Sequence, residues 1–283
     1  MSILQAVLLG LLQGLAEFLP ISSSGHLAIF QNLFHVGNGT EDLFLFDILL
    51  HLGTLISIFV AFHKDIWKLI TEFFAMLHDI VMNIVNKING KESVRIIRTG
   101  YRKFVVMVII STIPTGIIGI LLKDITEAAS ATLIMPGIFL LMTAALLFIA
   151  DRAAEGEKNP KTATYLDSVI LGVAQGIATL PGISRSGTTI TAALLCGFEK
   201  KYAVKYSFIM SIPAVVGACV LEISDAKGTV LEPAYVVGMI VAAVSGLLAI
   251  KVMIKVVSNA KLIYFSIYTW ILGISMIIYS LAV

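Results

Sequence analysis

Residues 10–26 read Gly10-Leu11-Leu12-Gln13-Gly14-Leu15-Ala16-Glu17-Phe18-Leu19-Pro20-Ile21-Ser22-Ser23-Ser24-Gly25-His26. Residues 172–188 read Gly172-Val173-Ala174-Gln175-Gly176-Ile177-Ala178-Thr179-Leu180-Pro181-Gly182-Ile183-Ser184-Arg185-Ser186-Gly187-Thr188. Laid over one another without gaps, they share Gly10, Gln13, Gly14, Ala16, Ile21, Ser22, Ser24 and Gly25, eight identities in seventeen positions at a constant offset of 162. Polar positions recur as well as apolar ones, which chance similarity between Gly- and Ala-rich helices does not explain. In both copies a Pro/Gly/Ser break interrupts an apolar stretch, 3–34 and 166–198, and each side is too short for a span of about 20 residues. Pro and Gly stop a helix, and the serines cap the next one. The pattern predicts two re-entrant helical hairpins, tolerated at membrane depth only where protein or a cavity covers the tip.

The surrounding chain agrees. Of 283 residues, 58% are hydrophobic and only 13% charged, against about 25% charge in a soluble domain. Such a chain cannot assemble a water-facing surface. Apolar runs at 43–62, 104–122, 132–150, 202–221, 234–254 and 261–281 predict six transmembrane helices. The fold class expected is an all-α polytopic membrane protein, six transmembrane helices plus two re-entrant hairpins. Seventeen of the 20 Lys and Arg residues then fall on one side, which the charge rule makes cytoplasmic. The other side holds only Lys123 and Lys227, and Arg185 stands in the second break. Both termini are expected outside. Lys68, Glu72, Asp79, Asn83 and Lys87 recur at helical spacing opposite Trp67, Ile70, Phe74, Leu77 and Ile84, predicting an interfacial amphipathic helix at about 66–88. The net charge of +2 implies no nucleic-acid partner. Cys196 and Cys219 read as buried thiols, and Met1-Ser2-Ile3-Leu4-Gln5, lacking a basic n-region, as part of the mature chain.

Near the ends of the halves the offset falls to 129, where Thr132-Leu133-Ile134 matches Lys261-Leu262-Ile263. The difference is close to the size of the polar insertion in the first linker. The organisation expected is a first repeat, 1–150, a cytoplasmic linker, 151–165, and a second repeat, 166–283. Each repeat is one hairpin plus three spans. Three is odd, so the second copy must be inverted, an arrangement that places its site at the repeat interface near the midplane.

Each tip aims a helix N-terminus and serine hydroxyls at one point, and a helix N-terminus is an anion site. Ser22, Ser24 and Gly25 on one tip and Ser184, Ser186 and Gly187 on the other are the candidate binding residues. The guanidinium of Arg185 suits phosphate or diphosphate oxygens. Glu17, Ser23 and His26 occupy the first tip, whereas the second has Thr179, Arg185 and Thr188 at the matching positions. Ionisable groups at membrane depth are costly and mark function by default; a structural ion pair between Glu17 and Arg185 is the plainer alternative. Asp47 and His51, one turn apart, line the site, bind a metal or simply satisfy each other. Gln13 and Gln175 are expected to fasten the hairpins.

The two motifs together resemble the paired signature of bacterial undecaprenyl-diphosphate phosphatases, the bacitracin-resistance protein family, over essentially the whole chain. That resemblance implies removal of one phosphate from undecaprenyl diphosphate, returning the monophosphate carrier to peptidoglycan and envelope synthesis. It also implies the bacterial inner membrane, a site open to the outer face, and a divalent metal ion, magnesium or calcium. The partner expected is the polyprenyl diphosphate lipid, and a homodimer is compatible with the resemblance. It maps the essential acid to Glu17, the nucleophilic or phosphate-binding hydroxyl to Ser23, the histidine to His26 and the essential arginine to Arg185. Many members carry a second acid where this chain has Gln13, which leaves Glu17 as the chief metal candidate. Attack by Ser23, with His26 or Glu17 taking its proton, and attack by a metal-bound water both stay open. The competing expectation is a transporter or flippase of a polyprenyl phosphate, against which stands the confinement of the Glu/Ser/His cluster to one half. An acid-phosphatase-like lipid phosphatase would need His where this chain has Thr191.

Overall fold

The computed structural model describes residues 1–33, 44–222, 231–259 and 261–282. Among them the chain is entirely helical in its named elements: α1 (Ile3–Phe18), α2 (Ser23–Leu33), α3 (Phe44–Ala61), α4 (His63–Ile88), α5 (Gly100–Leu121), α6 (Lys123–Ser130), α7 (Ile134–Asp151), α8 (Tyr165–Ile177), α9 (Arg185–Leu195), α10 (Lys200–Glu222), α11 (Pro233–Ser258) and α12 (Ile263–Ala282). Helices α4, α5, α7, α10, α11 and α12 are long and apolar enough to cross a membrane, and the apolar α3 matches α7 in length. The predicted end of the first hairpin at 34 and start of a span at 43 lie outside the described residues, as does Lys227. The chain is a multi-pass helical membrane protein.

Its surface is that of a protein in lipid. Ile117, Ile120, Leu121, Leu248, Ile271 and Ile278 are exposed, a density of bare apolar side chains that a water-soluble monomer avoids. The interior holds the small polar residues instead. Ser57 donates to Ala243 O at 2.7 Å, Thr115 to Gly172 O at 2.9 Å and Ser266 to Ala144 O at 2.7 Å. Such hydroxyl-to-carbonyl bonds join helices where lipid gives no hydrophobic drive for association.

Glycine faces set the close helix pairs. A β-carbon at Gly10 or Gly14 would collide with Gly238 or with Ser245 and Ala242, so α1 lies directly against α11. A β-carbon at Gly172 or Gly176 would collide with Ser111 or Ile118, so α8 lies against α5. The matching glycines of the two motif copies thus seat each hairpin on a helix of the opposite half. Helices α7 and α12 pack on each other through Gly137 and Gly273.

Two elements differ from expectation. Helix α4 starts at His63, directly after Phe62, and its polar side is tied to α5 and α10: Arg102 Nε donates to Glu72 Oε2 at 2.8 Å and its Nη1 to Asp79 Oδ2 at 2.5 Å, while Lys205 Nζ meets Asp65 Oδ1 at 3.0 Å. Only Ile66, Leu69 and Met76 of α4 are buried, leaving Trp67, Phe74 and Ile88 bare. Helix α6 was not expected, because eight residues carry too little periodicity to stand out. Of the two cysteines, Cys219 is buried and Cys196, at the end of α9, is only half-buried.

The second hairpin has a firmly built entrance. Thr164 caps α8, accepting from Asp167 N at 3.2 Å, while Asp167 Oδ2 accepts from Thr164 N at 2.7 Å, a reciprocal capping pair. Lys158 Nζ adds an ion pair at 3.0 Å. Burial pushes the Asp167 carboxyl up, but the Thr164 N–H and Lys158 pull it further down, so it sits below the ordinary carboxylate value.

Candidate active site at the hairpin tips

The two breaks form tight turns, and the turns touch. Helix α1 stops at Phe18 and α2 restarts at Ser23; α8 stops at Ile177 and α9 restarts at Arg185. The second turn uses Gly182 at φ 99°, a conformation that glycine adopts without cost. The first turn has no glycine there, and Ser22 takes φ 68° instead, an unfavourable region for a residue with a β-carbon. Ser22 Oγ then accepts from Gly25 N at 3.4 Å, as Ser184 Oγ accepts from Gly187 N at 3.1 Å. Both serines accept from the first turn of the following helix, but Ser184 does so from extended backbone at φ −71° and Ser22 from the left-handed region.

The next pair of matching serines crosses between the tips. Gly182 N donates to Ser24 Oγ at 3.2 Å, and Ser186 Oγ donates to Leu19 O at 3.3 Å. Ser186 is therefore a bridge rather than a cap. Gly187 lies under Pro20, where even a β-carbon would be tight. Thr143 of α7 braces the second turn from behind, donating to Gly182 O and accepting from Ser184 N, both at 3.0 Å.

The charged groups meet at this junction. Arg185 Nη2 forms an ion pair with Glu17 Oε1. Glu17 Oε2 accepts from Ser23 Oγ at 2.7 Å and from Gln13 Nε2 at 3.2 Å. Glu17 and Gln13 are buried, while Ser23 and Arg185 are half-buried. The junction therefore offers an alcohol hydrogen-bonded to a carboxylate, beside a guanidinium and two helix N-termini, with access from outside. That set can bind a phosphate anion and deprotonate a hydroxyl.

His26 is nearby but engaged elsewhere. Its Nδ1 lies 2.7 Å from Ser22 O and its Nε2 lies 2.7 Å from the Tyr268 hydroxyl of α12. Ser23 is thus paired with Glu17, not with His26. His51 Nδ1 pairs with the backbone carbonyl of Asp47 at 2.9 Å, and its ring is close enough to Glu17 to interact with the carboxylate. Gln13 does not fasten the hairpin but holds Glu17. Gln175 does fasten, donating to Thr115 Oγ1 at 3.3 Å and Met210 O at 3.4 Å.

For a divalent cation the donor chemistry fits in one way. Among the described residues no three His, Cys, Asp or Glu side chains gather as ligands. The fully buried Gln13 has its Oε1 without a hydrogen-bond partner, next to the Glu17 carboxylate. Two protein oxygens with the rest drawn from phosphate is an arrangement that hard cations accept.

Sequence reasoning missed Thr143 and Tyr268. Thr143 is a hydroxyl in an apolar span, of the kind that ordinarily satisfies itself on its own helix, and Tyr268 stands among Tyr264, Ser266 and Thr269 with nothing local to set it apart. The offset of 129 offered one pointer, because it maps Tyr268 onto Phe139, whose β-carbon lies against Gly182 of the other tip.

Fold and site together define a polytopic helical membrane protein that holds an acid, an alcohol and an arginine where two helical hairpins meet. A family model described as bacitracin resistance protein BacA matches residues 6–275. The chain is 42% identical to an undecaprenyl-diphosphatase of Alkaliphilus metalliredigens, over 99% of this chain and all of the relative. Proteins of the same name from Methanosphaera stadtmanae and Treponema denticola are 40% and 41% identical, each over 99% of this chain. The chain belongs to the bacitracin resistance protein BacA family.

Proposed function

We propose that this protein is an integral-membrane phosphatase that hydrolyses undecaprenyl diphosphate to undecaprenyl phosphate and inorganic phosphate. It recycles the lipid carrier for envelope synthesis and so confers resistance to bacitracin. The observation that carries this reading is the Ser23 hydroxyl on Glu17 Oε2, with Arg185 on the opposite carboxylate oxygen, between two helix N-termini.

The residues divide the work as follows. Phosphate oxygens compete with Glu17 for Arg185, whose planar fork suits them, and the N-termini of α2 and α9 add donors. As Arg185 turns to the substrate, Glu17 is freed to take the Ser23 proton. Ser23 Oγ then bonds to the terminal phosphorus while the bond to the bridging oxygen breaks, releasing undecaprenyl phosphate and leaving a phosphoserine. Glu17 passes that proton to the departing phosphate oxygen; a water then gives a proton to Glu17 as it attacks the phosphoserine, and Glu17 returns that proton to Ser23 Oγ as the P–O bond breaks, releasing inorganic phosphate and restoring Ser23. Arg185 stabilises the charge on the phosphoryl oxygens in both steps. Ser24 and Ser186 hold the tips in register. Glu17 and Gln13 would hold a divalent cation, which when bound neutralises diphosphate charge.

In this reading the hairpins are re-entrant and the halves inverted; the charge asymmetry supports three spans per half, and the seating of each hairpin on the opposite half supports a site shared between them. The site then opens to the outer face of the inner membrane, with both termini outside. Helix α4 lies in the inner interface, because its charged side is bound to Arg98 and to Arg102 at the start of α5 while its apolar side is bare.

The test is phosphate release from undecaprenyl diphosphate by purified, detergent-solubilised protein, where transport has no meaning. Wild type should turn over, and Glu17→Gln and Arg185→Ala should each lose on the order of a hundredfold or more. A well-folded wild type that releases no phosphate across a range of divalent cations would leave the transporter reading in its place.

A further inference from the structure

His26 is held from both sides, and the second hold comes from the far end of the chain. A backbone carbonyl can only accept, so the Nδ1 that lies 2.7 Å from Ser22 O carries the ring proton. The Nε2 of the neutral ring is then an acceptor, and the Tyr268 hydroxyl at 2.7 Å donates to it. The two rings are stacked as well, with centroids 5.7 Å apart and planes within 15°. The Ser22 carbonyl belongs to the residue at φ 68°, the turn that launches α2 and places Ser23 against Glu17. A strained turn of this kind persists only where its surroundings over-determine it.

We propose that Tyr268 is a positioning residue for the phosphatase site: acting through His26, it fixes the imidazole tautomer that holds the Ser22 turn and thereby aims the Ser23 hydroxyl at Glu17. Its place on α12 matters, because α12 packs on α7, and α7 braces the second tip through Thr143. The α7–α12 pair thus carries one brace for each tip, a hydroxyl from α12 through an imidazole for the first and a hydroxyl from α7 directly for the second.

The proposal rests on the phosphatase reading for its kinetic consequence but not for its structural one, and the experiment separates the two. The probes are undecaprenyl diphosphate turnover and the 15N spectrum of the histidine side chains in detergent, with the His26 signal assigned by His26→Gln. Tyr268→Phe keeps the stacked ring and removes only the donor. It should let the tautomer with the proton on Nε2 appear at His26. It should also lower kcat about five- to tenfold, the worth of one hydrogen bond, with KM unchanged. In the His26→Gln background, adding Tyr268→Phe should cost nothing more. An unchanged His26 tautomer in Tyr268→Phe, or losses that multiply in the double variant, would overturn the proposal. Should wild type release no phosphate, the phosphatase reading falls, while the tautomer measurement still decides whether Tyr268 sets His26.

Discussion

The Ser23 hydroxyl donates to Glu17 Oε2 at 2.7 Å, across the turn that separates α1 from α2. In the proposed mechanism nucleophile and base come from one hairpin, set by one turn, and the second hairpin supplies the cation and a second helix N-terminus. Ser23→Ala should lower phosphate release by on the order of a thousandfold or more, because the attacking atom is gone. Acid quench of wild type during turnover should trap a phosphoserine at Ser23, detectable by mass spectrometry. Near-full turnover by Ser23→Ala would hand the attack to a water instead.

Arg185 bonds Glu17 through one nitrogen, and its remaining donors are open to a substrate. Lysine keeps the charge but loses the fork. Arg185→Lys should therefore retain weak binding and lose most turnover, with a loss nearer to that of Arg185→Ala than to wild type. A steady-state comparison of kcat and KM across the three proteins checks this. Wild-type kcat in Arg185→Lys would show that only the charge matters.

Much of this site was readable from the chain, and the reason is physical. Pro20, Pro181, Gly182 and the serines interrupt apolar runs so sharply that the hairpins and their caps follow from local chemistry. Glu17 and Arg185 stood out because an ionised group at membrane depth needs a reason. Contacts between distant segments were less legible. Nothing local says that Ser22 rather than a glycine takes the left-handed turn, since only the surrounding packing makes that conformation tolerable. Nothing local assigns His26 to Tyr268, because a tyrosine in an outer span is as content in the headgroups as in the core. The joint between α3 and α4 at Phe62 has no Pro or Gly to announce it.

The entrance to the second hairpin should respond to pH. Asp167 is held below the usual carboxylate range, so its contribution is complete above the unfolded-state value near 4 and fades as pH falls through its folded value. Asp167→Asn should destabilise at neutral pH by about 1 kcal/mol, the typical worth of a helix cap. Thermal unfolding in detergent should show the gap between the two proteins closing as pH drops below about 4. A gap that stays constant to lower pH would mean that the carboxylate charge contributes nothing.

Gly14 and Gly116 differ only in what lies beside them. A β-carbon on Gly14 would meet Ser245, Ala242 and Gly246 of α11, including backbone atoms that cannot move aside. The first tip would be pushed off the helix that seats it, and Glu17, one turn further on, would move with it. Gly116 in α5 has nothing within 4 Å of where its β-carbon would be. Gly116→Ala should leave stability unchanged or raise it by up to about 1 kcal/mol, the helix preference of alanine over glycine. Gly14→Ala should cost about 1–3 kcal/mol through overpacking, against that same intrinsic gain. It should also reduce turnover in whatever fraction remains folded, because the Ser23–Glu17 geometry depends on the seat. Equal melting temperatures for the two variants would mean that α1 does not rest on α11 as described, and with it the placement of the acid would fall.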